Sequence, residues 1–384
     1  MQNMPPIPAI RSLPTRFTVG SPATALPTAA SVRHLDPGPE HPSRAGVLTL
    51  AVDYDAAGRI STAEVSIGLL HRGVEKLFEV RDYRQILSLA NRHDWQAPAF
   101  GELAVALAAE QLLGLEVPRR AVWLRTLLSE HTRLVSHLGS LSWLAPPQRL
   151  GHLRALRERL REQLRRWTGN RIHPMVVRIG GVIADVGSQW LATEVALADE
   201  VAAFAAELSG ALQELPTGLG ILSPAQVDSW GLSGPVSAAS GVDRDLRRRR
   251  PYLAYAELAD LLPTAPETTR DARARLSAVA AELPASAALI RACAEQAPGG
   301  VITVTLPKIL KLPVGDCYVA TAAPWGQAGV HLVSTGQKTP ARLQLRTPSS
   351  RNVAALESAL LGADPDQVLP ILCSLGYVIG DVAK

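Results

Sequence analysis

The run GLLHRGVEKLFEVRDYRQILSLANRHDW, residues 68–95, decides how this chain is read. Three polar clusters interrupt its otherwise apolar, helix-favouring sequence: His71-Arg72-Gly73, Arg81-Asp82-Tyr83-Arg84 and Arg92-His93-Asp94. A surface helix spreads its charges along one face at helical spacing. Here they fall in clumps, as expected of a chain that turns repeatedly past one polar focus. Two helix ends joined by a solvated loop account for the same residues about as well.

Before this run, residues 46–67 alternate apolar and polar around a turn at Ala56-Ala57-Gly58, which predicts a β-hairpin. Residues 1–37 are rich in Pro, Ala, Ser and Thr without periodicity and read as an extended or disordered arm. After it come three helices. Residues 99–115 are apolar nearly all round, as in a fully buried helix. Pro118 opens a second helix reaching about Leu144, with leucines on one side and Glu130, Arg133 and His137 on another. The third, about 149–168, carries a Leu153–Leu156–Leu160–Leu164–Trp167 stripe, seven arginines between Arg149 and Arg166, and Gly169 as its stop.

Pro174 and Gly180-Gly181 make residues 171–186 extended, and another helix covers about 191–214. A loop region, 216–252, ends in Arg247–Arg250, a run expected on a solvated or partner-facing surface. Residues 266–296 predict a long helix kinked or split at Pro284. Strands are expected at 301–305 and 316–321, a second hairpin at 329–334 and 342–346, then a helix at about 351–361 and an apolar tail. The fold class is mainly α with small β hairpins (α+β). Beyond the arm we expect one domain over 38–384: hairpin 46–67, helical core 68–297, mixed α/β part 298–384.

At 384 residues and 47% hydrophobic, the chain has ample core material, and its 4% aromatic content means small and aliphatic packing. A net charge of +4, with arginines placed on helices, argues against nucleic acid. Cys293, Cys317 and Cys373 are far apart, so neither a disulfide framework nor a thiolate metal cage is written here. No run of about 18 uncharged apolar residues predicts a membrane-spanning helix, and the first residues lack a signal-peptide plan. Nucleotide and hydrolase motifs (GxGxxG after a strand, a P-loop, GxSxG, HExxH) are missing, so no cofactor site is expected on this chain. Three placements remain unexplained: His173 in an apolar extended segment between Arg171 and Arg178, His41 on a Pro/Gly turn entering the hairpin, and Trp95 directly after the third polar cluster. By itself, His173 is better read as a core histidine satisfied by a carbonyl.

Taken in order, HRGVEK (71–76), RDYRQIL (81–87), SEHTRLVSHL (129–138), RIHPMVVRIGGV (171–182), SAASGVDRDLRRRRPY (237–252), GVHLVSTG (329–336) with PARLQLRTPS (340–349), and ILCSLGYVIGDV (371–382) resemble the 49 kDa component of respiratory complex I. The resemblance covers about 36–384 and implies a core like that of the related nickel–iron hydrogenase large subunits. It further implies a peripheral-arm subunit of a proton-translocating NADH:quinone oxidoreductase, on the cytoplasmic side of a bacterial cell membrane. Its partners would be an iron–sulfur subunit and other peripheral- and membrane-arm subunits. Quinone would be the substrate, the terminal iron–sulfur cluster would lie in the partner, and NAD and FMN would bind elsewhere in the complex.

By the same resemblance, Arg72 and Arg92 lie near that cluster, and His173 is a histidine whose proton affinity follows the cluster's redox state. His41, Ala45 and Trp95 line the quinone cavity. Here Ala45 and Trp95 replace a quinone-bonding histidine and tyrosine, the segment after His137 is short and lacks that histidine's aspartate, and Ala322, Trp325 and Gln327 stand where charged residues are usual. Both cysteine pairs of the hydrogenases are missing, which excludes nickel ligation. The departures imply a divergent second copy of the subunit and keep a second expectation open: a redox-inactive scaffold of a complex I-like assembly.

Overall fold

The computed structural model describes residues 15–20, 32–38 and 41–384. The alternation of residues 46–67 becomes β3 (Leu48–Tyr54) and β4 (Ile60–Ser66). Two strands from the arm extend this hairpin, β1 (Thr15–Val19) and β2 (Val32–Leu35), in the order β2-β1-β3-β4 with β1 and β2 parallel. Val19 sits opposite Leu48 and Phe17 opposite Leu50, so two buried side chains of the arm continue the apolar face of β3. An alternation this short does not stand out in a Pro- and Ser-rich segment, and pairing with β3 is what makes it a strand. The rest of the arm lies outside the described residues.

Helices then dominate. Asp82 accepts the amides of Arg84 and Gln85, each at 3.0 Å, and so separates α1 (Val74–Glu79) from α2 (Tyr83–Ala90). The next three are α3 (Ala99–Leu113), α4 (Arg119–Leu141) and α5 (Pro147–Thr168), the last two of which stop at Ser142 and a left-handed Gly169. Residues 171–186 hold the minimal pair β5 (Val177–Arg178) and β6 (Gly181–Val182). A strand expected at 301–305 is only a bridge, Gly181 to Thr303.

Next come α6 (Ser188–Glu207), α7 (Ser209–Glu214) and three short helices in the expected loop region, α8 (Pro224–Trp230), α9 (Pro235–Ala239) and α10 (Leu246–Arg249). Then α11 (Ala272–Gln296) runs through Pro284 as one helix. By length and composition α11 is apolar enough to cross a membrane, yet it is packed against α4, α6, α9 and α14 (Val368–Leu375) inside the protein. An antiparallel sheet of β7 (Gly315–Ala323), β8 (Gly326–Ser334) and β9 (Arg342–Arg346) follows. The chain closes with α12 (Pro348–Ala354), α13 (Leu356–Ala359), α14 and α15 (Ile379–Val382). The fold is mixed α+β and mainly helical.

Two features of packing place the site. Helix α4 is buried on every side from Trp123 to Leu141, Glu130, Arg133 and His137 included, because α3, α5, α6 and α11 surround it. And the first sheet shares its core with α14 and α15: Phe17, Leu50 and Val52 belong to one apolar cluster with Ile371, Tyr377 and Ile379. The two ends of the sequence therefore meet.

Candidate functional site

The turn between α2 and α3, residues 91–98, holds two of the six site residues read from sequence, Arg92 and Trp95, and meets a third, His173. Its close entry depends on Gly101, where a Cβ would fall 2.0 Å from the Ala90 carbonyl oxygen. Asp94 accepts the amides of Gln96 and Ala97, each at 3.0 Å, and ties the turn to the start of α3. Each residue then reaches a different part of the chain. Asn91, by its carbonyl, meets the Nδ1 of His173 at 3.0 Å. Arg92 lies beside His173 and points an Nη2 at the Met175 sulfur, 3.7 Å away. His93 Nδ1 is 2.7 Å from Asp381 Oδ1 on α15. The half-buried ring of Trp95 packs on Gly380, where a Cβ would come within 2.1 Å of it. Gln96 accepts a hydrogen bond from Arg157 of α5.

The arrangement fixes the chemistry of His173. A carbonyl only accepts, so Nδ1 carries the proton toward Asn91 and Nε2 is the atom free to titrate. Burial, then the positive charge of Arg92, lower its pKa, while the bond to Asn91 opposes them. The imidazole is therefore neutral at pH 7 and poised to gain a proton when negative charge arrives nearby. Its segment is braced from below: Glu102 of α3 accepts the amides of Met175 (2.7 Å) and Val177 (3.0 Å) and the side chain of Asn91 (2.7 Å). Met175 adopts a left-handed φ of 47°, a strained conformation for a side chain without a carbonyl or amide. Burial pushes the Glu102 carboxyl up to about 7 despite these donors.

His41, Ala45 and Trp95 gather around α15. The 42–45 turn packs on α15 and on the end of α4. Ala45 is exposed, but His41 is buried and caps the turn, its Nδ1 accepting the Ser43 amide at 3.2 Å. Burial, aided by Arg157, lowers the pKa of His41 to about 3, so it stays a neutral cap. Arg72 is exposed and shares no hydrogen bond or ion pair with Arg92 or His173 in the described chain.

Sequence reasoning missed two things. One is the set His93, Asp94 and Asp381, which lie 288 residues apart at their extremes. The other is the role of the arginine run. Arg247, expected at a solvated surface, is buried and central: it pairs with Glu282 (2.7 Å) and Asp245 (2.7 Å) and lies 3.7 Å from Glu130. Glu130 also accepts from Tyr255 (2.5 Å), Ser286 (2.6 Å) and Arg133 (3.1 Å). A helix of four residues, α10, turns one arginine of the run inward while Arg248–Arg250 stay outward, and only the identity of the partners on α4 and α11 reveals which. Arg133, Arg247 and Glu282 form one wall of a cavity of about 340 Å³ bounded by Ser237, Thr268 and Gln327.

Comparison with known proteins places this geometry among relatives. Residues 152–311 and 305–384 match the model of the family described as respiratory-chain NADH dehydrogenase, 49 Kd subunit. The chain is 43% identical over 370 residues to the second D-type subunit of NADH-quinone oxidoreductase from Streptomyces griseus, covering 91% of this chain and 92% of that one. It is 32% identical over 389 residues to the D-type subunit of NADH-quinone oxidoreductase from Parvibaculum lavamentivorans, covering 91% and 98%. Among solved structures, a chain from the membrane-bound sulfane sulfur reductase, an archaeal respiratory membrane complex, superposes with a TM-score of 0.82 at 29% identity, covering 88% of this chain and 94% of that one.

Proposed function

The chain belongs to the 49 kDa subunit family of respiratory-chain NADH dehydrogenases, and on that premise we propose that it helps form the quinone-reducing cavity of a proton-translocating complex I, beside the terminal iron–sulfur cluster of a partner subunit. It acts as one subunit of an oxidoreductase complex and is not catalytic alone. The observation that carries the reading is the 91–98 turn, which holds Trp95 at one end and, through Asn91 and Arg92, His173 at the other. An electron arriving on a nearby cluster adds negative charge, and Coulomb attraction raises the proton affinity of an imidazole whose Nε2 is open. One turn then couples an electron on the His173 side to an acceptor on the Trp95 side. Peripheral attachment on the cytoplasmic side of a bacterial membrane, with the other subunits of the peripheral and membrane arms as partners, belongs to the same proposal.

The test uses the complex purified from native membranes, with His173→Gln and Trp95→Ala variants. Quinone reduction falling at least tenfold in both, with the iron–sulfur EPR signal retained, supports the reading. Rates unchanged in both variants overturn it and leave the redox-inactive scaffold. Since a chain of this fold also serves a complex named for sulfane sulfur reduction, polysulfide is assayed beside quinone. Turnover with polysulfide alone would move the acceptor from quinone to sulfur.

A further inference from the structure

Quinone reduction to quinol takes two electrons and two protons, and the wall described above offers no proton of its own. Trp95 has no acidic proton, Ala45 has none, and His41 is a neutral cap with its Nδ1 occupied. Immediately behind Trp95, however, three ionisable side chains are packed together. His93, Asp94 and Asp381 are each at most 5% exposed. His93 and Asp381 share a 2.7 Å hydrogen bond, and the second oxygen of Asp381 accepts the Ser349 amide at 3.3 Å. The His93 Nε2 has no hydrogen-bond partner among the described residues and faces Gly101 of α3.

We propose that His93, Asp94 and Asp381 form a buried proton store that backs Trp95 and supplies the acceptor site, an inference that rests on the quinone-cavity reading above. The geometry gives it a door. Trp95 stands between Asp94 and Gln96 in the chain, and its ring lies on Gly380, the neighbour of Asp381. Trp95 is thus tied to the cluster by its backbone at Asp94 and by its ring at Gly380. Two carboxylates face a single imidazole, so the group cannot pair every charge internally.

The charged neighbours do not cancel this. Asp381 repels the negative charge of Asp94 and His93 attracts it; burial comes first, and the carboxyl rises to about 7. On α3, Glu102 is turned to Asn91 and the amides of Met175 and Val177. From α5, Arg157 is bonded to Gln96 and the Val135 carbonyl, and beyond α15 Lys384 pairs with Glu75. No three donor atoms of such groups converge as a metal site would need, among the described residues. In each turnover the electrons come from the partner's iron–sulfur cluster. As a quinone oxygen is reduced, an O–H bond forms there, an N–H or O–H bond of the store breaks, and the store refills from solvent. His93, Asp94 and Asp381 are positioning residues for that proton, since Trp95 separates them from the acceptor.

The test measures quinone reduction by the assembled complex from pH 5.5 to pH 9, beside the iron–sulfur EPR signal, for wild type and for Asp94→Asn, His93→Leu, Asp381→Asn and Trp95→Ala (the pH range is set to bracket about 7). Wild-type rate is expected to fall as pH rises through about 7, where Asp94 loses its proton. The Asp94→Asn variant loses that limb and slows on the order of 10²-fold, as removal of a positioned proton donor does. His93→Leu slows comparably with KM unchanged and the EPR signal retained. Should His93→Leu fail to assemble, the isosteric Asp94→Asn and Asp381→Asn carry the test. Wild-type rate and pH profile in those two, with Trp95→Ala inactive, overturn the proton store and leave the quinone wall standing. An unaffected Trp95→Ala removes the underlying reading instead.

Discussion

Two of the buried ionic clusters among the described residues behave oppositely. Around α4, α10 and α11, Glu130, Asp245 and Glu282 face Arg133 and Arg247, with Tyr255 and Ser286 adding hydrogen bonds. Behind the 91–98 turn, Asp94, Asp381 and Glu102 meet one histidine, one asparagine and backbone amides, and Arg178 lies near Glu102 but spends its hydrogen bonds on the Met175 and Val177 carbonyls. Burial by itself favours the neutral form of a carboxyl. In the first cluster the arginines more than reverse it, holding Glu130 and Asp245 below the ordinary carboxylate range and Arg247 well above the ordinary guanidinium. In the second nothing reverses it, and Asp94 and Glu102 rise to about 7. Similar burial thus yields a permanently charged strut in one place and a titrating group in the other, and direct hydrogen bonding to arginine decides which.

Removing the strut's central cation is the most severe way to break this contrast. Arg247→Leu leaves three acids around one remaining arginine, and we expect a loss of about 3–5 kcal/mol, seen as failure to assemble or a large drop in denaturation midpoint. A midpoint within experimental error of wild type would mean the acids there are neutral, like those of the turn. Next in size is a pH effect. Glu102 binds its proton up to about pH 7 when folded but only to about 4.5 when unfolded, so the folded state holds the extra proton. Its contribution to stability is therefore lost as pH rises from about 4.5 to 7, by roughly 3 kcal/mol. Glu102→Gln flattens that slope, measured as denaturation midpoints at pH 5 and pH 8; a slope equal to wild type shows that Glu102 is charged.

Gly101→Ala disturbs the turn without adding or removing an ionisable group, its Cβ falling 3.1 Å from the His93 Nε2. Its Cβ meets the Ala90 carbonyl at 2.0 Å, so α2 and α3 must part, at a cost of about 1–3 kcal/mol with no change in pH slope. A changed slope would show that the acids depend on the approach of the two helices. Smallest is Arg72→Ala, at an exposed site without an ion pair, expected to alter stability by less than about 0.5 kcal/mol. A larger loss in the isolated chain would place Arg72 in a contact within this protein.

Much of the architecture was legible beforehand because it rests on local periodicity. Alternation gave the hairpin of β3 and β4, apolar patterning gave α3, α4 and α5, and Gly169 marked an end that depends only on its own neighbours. The ordered motifs carried the family resemblance, since a resemblance needs only residue order. What escaped was whatever depends on a distant partner: β1 on β3, the inward turn of Arg247 on Glu282, the continuity of α11 through Pro284 on the helices that enclose it.

The same division runs through the site. The sequence alone set three polar clusters into residues 71–94 and left Trp95 and His173 out of place in apolar surroundings. Only the tertiary structure decided that His93 would meet Asp381, that His41 would be a buried cap, and that Glu102 would brace the strained Met175 segment. The physical reason is that propensity and periodicity act over a few residues, whereas a pKa is set by every charge and amide within several ångströms. Those neighbours are chosen by packing, and packing brings the last helix of the chain against a turn nearly three hundred residues earlier.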